Sequence, residues 1–168
     1  ALGGGLMPIG ACVYTSEVYN THFELWHSST FAGNTLACSA GIATVDLLEA
    51  DGRALVRRVA ENGAFLKSEL ENLKARFPRL ITEIRGRGYM VGVELCLDED
   101  SLGSDLLVNL AGQQLLLHLI VGHLLNVGHV RVAPAFTGAS VLRIEPPLIA
   151  EREECLTLVR ALDRTLTL

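Results

Sequence analysis

Leu55, Val59, Leu66, Leu70, Leu73 and Phe77 recur at helical spacing, with Arg57, Arg58, Glu61, Lys67, Glu69, Glu71 and Lys74 filling the positions between them. This pattern predicts a long amphipathic helix whose apolar stripe has to be covered by another part of the chain. Ala50-Asp51-Gly52 breaks the segment before it, and Pro78 stops it, because proline cannot continue a helix. Residues 80–85 and 89–95 read as two strands joined through Gly86-Arg87-Gly88, and residues 130–133 and 141–144 as two more. Pro146-Pro147 ends the last strand by removing ladder donors. Residues 151–166 read as a final helix. Its acidic first turn (Glu151, Glu153, Glu154) suits the helix dipole, although Ala150 is a weak N-cap.

Ahead of the long helix, residues 9–14 read as a buried strand opened by the Gly3–Gly5 turn, and residues 28–34 as a polar loop. Small and aliphatic side chains (Ala37, Ala40, Ile42, Ala43, Val45, Leu47, Leu48) predict a tightly packed helix over residues 36–48. These first fifty residues hold too little core to stand alone, so they are expected to pack on another segment or another copy of the chain. The organisation is therefore residues 1–50, a connecting helix over 51–77, and a compact α+β unit over 78–168.

With 168 residues, 49% of them apolar, a net charge of −5 and no basic run, the chain reads as an ordinary globular protein with no nucleic-acid partner. Cys12, Cys38, Cys96 and Cys155 are scattered and fit buried free thiols. No Asp, Glu, Lys or Arg stands between Asp105 and Arg131, but Asn109, Gln113, Gln114, His118, His123, Asn126 and His129 interrupt the apolar run. A buried or interface helix is expected there, and no membrane span. His118 and His123 miss the same-face spacing of a helical metal pair, and no metal site is expected. The start of the chain lacks the pattern of a signal peptide, so the cytoplasm is the expected compartment. Gly3–Gly5 are not a phosphate loop, since no Gly-Lys-Ser/Thr follows, and a serine-nucleophile elbow is missing.

Four stretches occur in a telling order. They are Ala1-Leu2-Gly3-Gly4-Gly5-Leu6-Met7-Pro8-Ile9-Gly10-Ala11, then Ser28-Ser29-Thr30-Phe31-Ala32-Gly33-Asn34, then Arg85-Gly86-Arg87-Gly88-Tyr89-Met90-Val91-Gly92-Val93-Glu94-Leu95, and last Leu142-Arg143-Ile144-Glu145-Pro146-Pro147-Leu148. Together they resemble the class III pyridoxal-phosphate (PLP)-dependent aminotransferases, in wording nearest the putrescine and diamine branch, over residues 1 to about 166. The resemblance implies an α/β to α+β fold: the end of a fold-type-I large domain followed by its C-terminal small domain. It implies PLP as cofactor, an amino donor and a 2-oxo acid as substrates, and a homodimer with both active sites at the interface. Thr30, with Ser29 beside it, would bind the cofactor phosphate of the neighbouring subunit, and Arg143 a substrate carboxylate. The Schiff-base lysine is expected immediately before Ala1, so these 168 residues alone are expected to lack turnover. Two departures stand out: Thr35 where the family has proline, and the long stretch over residues 106–130.

On the residues alone, alternatives stay open. A Ser-Ser-Thr run also serves as a turn or cap. Arg143 has two readings, a fork for a substrate carboxylate or a structural pair with Glu145 or another carboxylate. The glycines of residues 86–92 read as structural, permitting a turn and close strand packing. The alternative function is a non-catalytic dimerisation or protein-binding module derived from the same fold.

Overall fold

The computed structural model describes residues 2–26, 29–97, 104–112, 115–135 and 140–168. The chain forms two compact units, Ala1–Leu55 and Val56–Leu168. The acidic loop Asp98-Glu99-Asp100 and the start of the polar loop at Ser28 lie outside the described residues.

In the first unit the Gly-rich opening is a tight turn in which the Leu6 and Met7 amides donate to the Gly3 carbonyl at 3.0 and 3.3 Å. Residues 9–14 run on without forming the expected strand, and residues 10–14 are exposed. A strand needs a ladder partner, and the described residues of this unit supply none. Helix α1 (Thr21–Trp26) follows, unanticipated by periodicity because it is only six residues long. Asn20 starts it: its side-chain Oδ1 accepts from the His22 amide at 2.9 Å and its carbonyl from the Phe23 amide at 2.9 Å.

Helix α2 (Thr35–Arg76) begins at a second asparagine cap, Asn34, whose Oδ1 accepts from the Ala37 amide at 3.0 Å. Thr35 therefore occupies the first helical position, where proline is favoured elsewhere because that N–H has no helical partner. The helix is interrupted where Ala50-Asp51-Gly52 predicts. Ala50 is extended (ψ 149°), and Asp51, Gly52 and Arg53 are left-handed with φ of 48°, 60° and 69°. Among the described residues of Ala1–Leu55 only Gly3, Ala37 and Gly41 are buried, in keeping with a segment too poor in core to stand alone.

The second unit holds the core. Strands β1 (Ile81–Arg87), β2 (Met90–Leu95), β3 (Ala133–Pro134) and β4 (Val141–Ile144) form one antiparallel sheet in the order β1-β2-β4-β3. The register places Ile84, Val93 and Leu142 in one row and Val91 beside Ile144, all buried. Against them pack Leu66, Leu70 and Leu73 of α2, Leu117 and Leu124 of α4 (Leu116–Asn126), and Leu158 and Leu162 of α5 (Arg152–Thr167). Each such side chain contributes about 1.5–3 kcal/mol by leaving water. This is the cover that the apolar stripe of α2 requires. Seven-residue β1 is longer than expected, so the β1–β2 turn is Gly88-Tyr89 rather than residues 86–88; Gly88, at φ 55°, fills the position a two-residue hairpin turn reserves for glycine.

The charge-free stretch is two helices, α3 (Asp105–Gly112) and α4, instead of one. Among the described residues no single helix is long and apolar enough to cross a membrane. The strand expected over residues 130–133 is the two-residue β3. Helix α5 starts one residue later than expected, with Glu151 as N-cap, and the Glu154 carboxylate accepts from the Glu151 amide at 2.9 Å. All four cysteines are free, but only Cys155 is buried; Cys12 is exposed and Cys38 and Cys96 are half-buried.

Candidate functional site

The candidate residues fall in the two units: Ser29 and Thr30 in the first, Arg143 in the second. Ser29 and Thr30 open the turn that leads into α2. The Phe31 amide donates to Ser29 Oγ at 3.1 Å and the Ala32 amide to the Ser29 carbonyl at 3.0 Å, so the chain reverses before Asn34 caps the helix. Ser29 Oγ acts there as an acceptor and keeps its own proton to donate. Thr30 is exposed. Two adjacent hydroxyls at a reversing loop form the neutral donor set that phosphate oxygens take.

Arg143 lies in the middle of β4, between buried Leu142 and Ile144, and the period of two sends its side chain to the exposed face of the sheet. Its nearest carboxylate among the described residues is Glu145, with Nη2 to Oε2 at 3.8 Å and side chains 46% and 48% exposed. That distance is too long for a hydrogen bond, and an exposed pair of this kind is worth about 0–1 kcal/mol. Of the two sequence readings, the structural pair with Glu145 is thus the weakly made one.

Arg85 shares the row, since Arg85 pairs with Gly92 and Gly92 with Arg143. Gly92 leaves the lane between the two arginines without a side chain of its own. Unlike Arg143, Arg85 is fully engaged: its Nη1 donates to Glu94 Oε2 at 2.5 Å and Glu83 Oε2 at 2.7 Å. The hydrogen bond it donates to Glu94 raises its pKa most, with burial opposing and exposed Glu83 adding to the rise. Sequence reasoning missed this neighbour because only the strand register brings residues 85 and 143 to either side of residue 92.

His123 Nδ1 lies 3.1 Å from Thr165 Oγ1, tying α4 to α5. Among the described residues no three His, Cys, Asp or Glu side chains cluster as metal ligands.

Residues 1–166 match the aminotransferase class-III family. The chain belongs to that family. It is 38% identical over 157 residues to a putrescine aminotransferase of Pectobacterium atrosepticum, covering 92% of this chain and 30% of that protein. Its structure is similar to that of a PLP-bound amine transaminase from an uncultivated Pseudomonas species (TM-score 0.65, 28% identity, 84% of this chain and 29% of that one). It is also similar to an acetylornithine aminotransferase from Elizabethkingia anophelis (TM-score 0.62, 27% identity, 84% and 32%). The chain thus spans about 30% of the length of the relatives it matches, as a mixed α/β segment consistent with their C-terminal portion. The family uses PLP. The Ser29–Thr30 loop fits the phosphate end of that cofactor in its donor chemistry.

Proposed function

We propose that this chain supplies the C-terminal part of an enzyme that moves an amino group between an amine or amino acid and a 2-oxo acid, with PLP as cofactor. Residues 1–50 then end the cofactor-binding large domain, residues 51–77 connect, and residues 78–168 form the small domain. The observation that carries this reading is Arg143: a mid-strand guanidinium on an exposed sheet face whose one close carboxylate among the described residues stands 3.8 Å away. Such a fork holds a carboxylate through two parallel hydrogen bonds and stays charged at every working pH. When bound, PLP supplies the electron sink for the reaction. Ser29 and Thr30 would hold its phosphate through their hydroxyls, Thr30 acting on the neighbour's cofactor in a homodimer.

The lysines of these 168 residues are Lys67 and Lys74, both on α2. Lys74 Nζ donates to the Thr82 carbonyl at 2.8 Å and is part of the fold. The cofactor-bearing lysine is therefore assigned to residues outside this sequence. The assignment of Arg143 is tested by Arg143→Ala in the full-length enzyme carrying this sequence. Loss of a charge-assisted fork should raise KM for the carboxylate substrate by about tenfold to a hundredfold with kcat little changed. An unchanged KM removes the assignment.

A second reading, a non-catalytic dimerisation or protein-binding module, draws on the exposed Leu36, Ile42 and Leu47 along the first half of α2. An oligomer that forms equally with and without PLP on size-exclusion would favour it.

A further inference from the structure

Within the second unit, Ala60, Gly63, Ala64 and Lys67 lie at i, i+3, i+4 and i+7 and so share one face of α2. The Gly86–Gly88 end of the β1–β2 hairpin sits against that face, and between them is a recess of about 240 Å³ floored by Ala60, Ala64 and Val91. Its shape is enforced by backbone contact: a Cβ on Gly63 would lie 2.4 Å from the Gly88 carbonyl, and one on Gly86 2.0 Å from the Met90 carbonyl oxygen. Lys67 and Arg87 are the two charged groups lining the recess.

Among the described residues those two cations have no carboxylate partner. Arg53, Arg58, Arg76, Arg85 and Arg160 each hold a carboxylate at 3.3 Å or closer. Two cations beside a small, mostly apolar hollow select a ligand with an anionic head and a short apolar stem. The volume lies below the roughly 300–1,000 Å³ of drug-sized sites, which limits the stem to a few carbons. A bare oxyanion would satisfy the cations but leave the floor uncovered.

We propose that this recess binds a short-chain carboxylate, its head held by Lys67 and Arg87 and its alkyl stem resting on Ala60, Ala64 and Val91. The test is titration of the ¹⁵N-labelled chain with pentanoate. The expected result is saturable shifts at the Gly63, Gly86 and Gly88 amides. Affinity should fall about tenfold or more in the Lys67→Gln/Arg87→Gln double variant. Ala60→Leu, which fills the floor from an exposed helix position, should lower it as well while the rest of the spectrum stays dispersed. Arg164→Gln, which removes a charge on α5, should leave it unchanged. The proposal is overturned by the lack of a saturable shift, by an equal response to pentan-1-ol, or by equal affinity for inorganic phosphate.

Discussion

Gly63 of α2 and Gly88 of the β1–β2 turn touch through backbone alone: a Cβ on Gly63 would lie 2.4 Å from the Gly88 carbonyl carbon and oxygen. Glycine in a helix interior normally costs about 0.5–1 kcal/mol relative to alanine, so the contact must contribute more than that deficit. Gly63→Ala should therefore destabilise the chain by about 1–3 kcal/mol, the cost of overpacking. Gly122→Ala in α4, where an added Cβ meets nothing within 4 Å, should stabilise it by up to about 1 kcal/mol. Urea unfolding of the two variants checks the opposite signs; equal signs would mean that the helix and turn do not make this contact.

Thr35→Pro should be tolerated or stabilising. Thr35 follows the Asn34 cap as the first residue of α2, where an N–H is not needed and proline's fixed φ suits the helix. Restricting the unfolded chain is worth about 0.4–1 kcal/mol at a compatible site. A lower melting temperature for this variant would show that the start of α2 is wrongly placed.

Thr30→Ala should leave the stability of the chain within about 0.5 kcal/mol, because Thr30 is exposed. In the full-length enzyme it should weaken PLP retention about tenfold or more, since a hydrogen bond to a charged oxygen is lost. Thr30→Ser should restore it. Cofactor absorbance after desalting reads the effect, and full retention by the alanine variant would remove Thr30 from the phosphate site.

Alkali should weaken the second unit through two neighbours. Burial holds the Tyr89 phenol above its ordinary pKa of 10.0, with the Asn62 amide opposing, and burial likewise raises the Cys155 thiol above 9.0. In both the fold favours the protonated form. Their contribution is therefore complete below about pH 9 and is lost as pH climbs through the raised values. Tyr89 also donates to the Ala150 carbonyl at 2.7 Å, a bond that ionisation removes. The urea midpoint should fall above pH 9 in the wild type. Tyr89→Phe should lower the unfolding free energy at neutral pH by about 1 kcal/mol and flatten the fall of the midpoint above pH 10. An unaltered alkaline slope in Tyr89→Phe contradicts the role of the phenol.

Where local pattern and tertiary cover agree, the fold was legible from residues alone. The apolar stripe of residues 55–77, the break at Asp51-Gly52 and the alternation that exposes Arg143 between Leu142 and Ile144 are of this kind. Residues 9–14 were not legible, because β-branched residues describe a surface that suits a strand, while a strand exists only with a ladder partner. Helix α1 rests on Asn20, a cap signal that precedes too short a run to show periodicity. The division of residues 106–130 was hidden by a uniform apolar composition, although Gly112, at the end of α3, is a residue that weakens helices. At the candidate site, Ser29, Thr30 and Arg143 stand out by motif as candidates, whereas the row Arg85–Gly92–Arg143 depends on strand register, which no single strand's sequence specifies.

The proposed aminotransferase role is tested most directly by joining these 168 residues to the upstream part of the Pectobacterium atrosepticum putrescine aminotransferase, replacing that enzyme's matching segment. Transfer of ¹⁵N from putrescine to 2-oxoglutarate is then followed for the chimaera and for the chain alone. Turnover is expected from the chimaera and none from the chain alone. A folded, PLP-loaded chimaera without turnover, or transfer by the chain alone, would contradict that expectation.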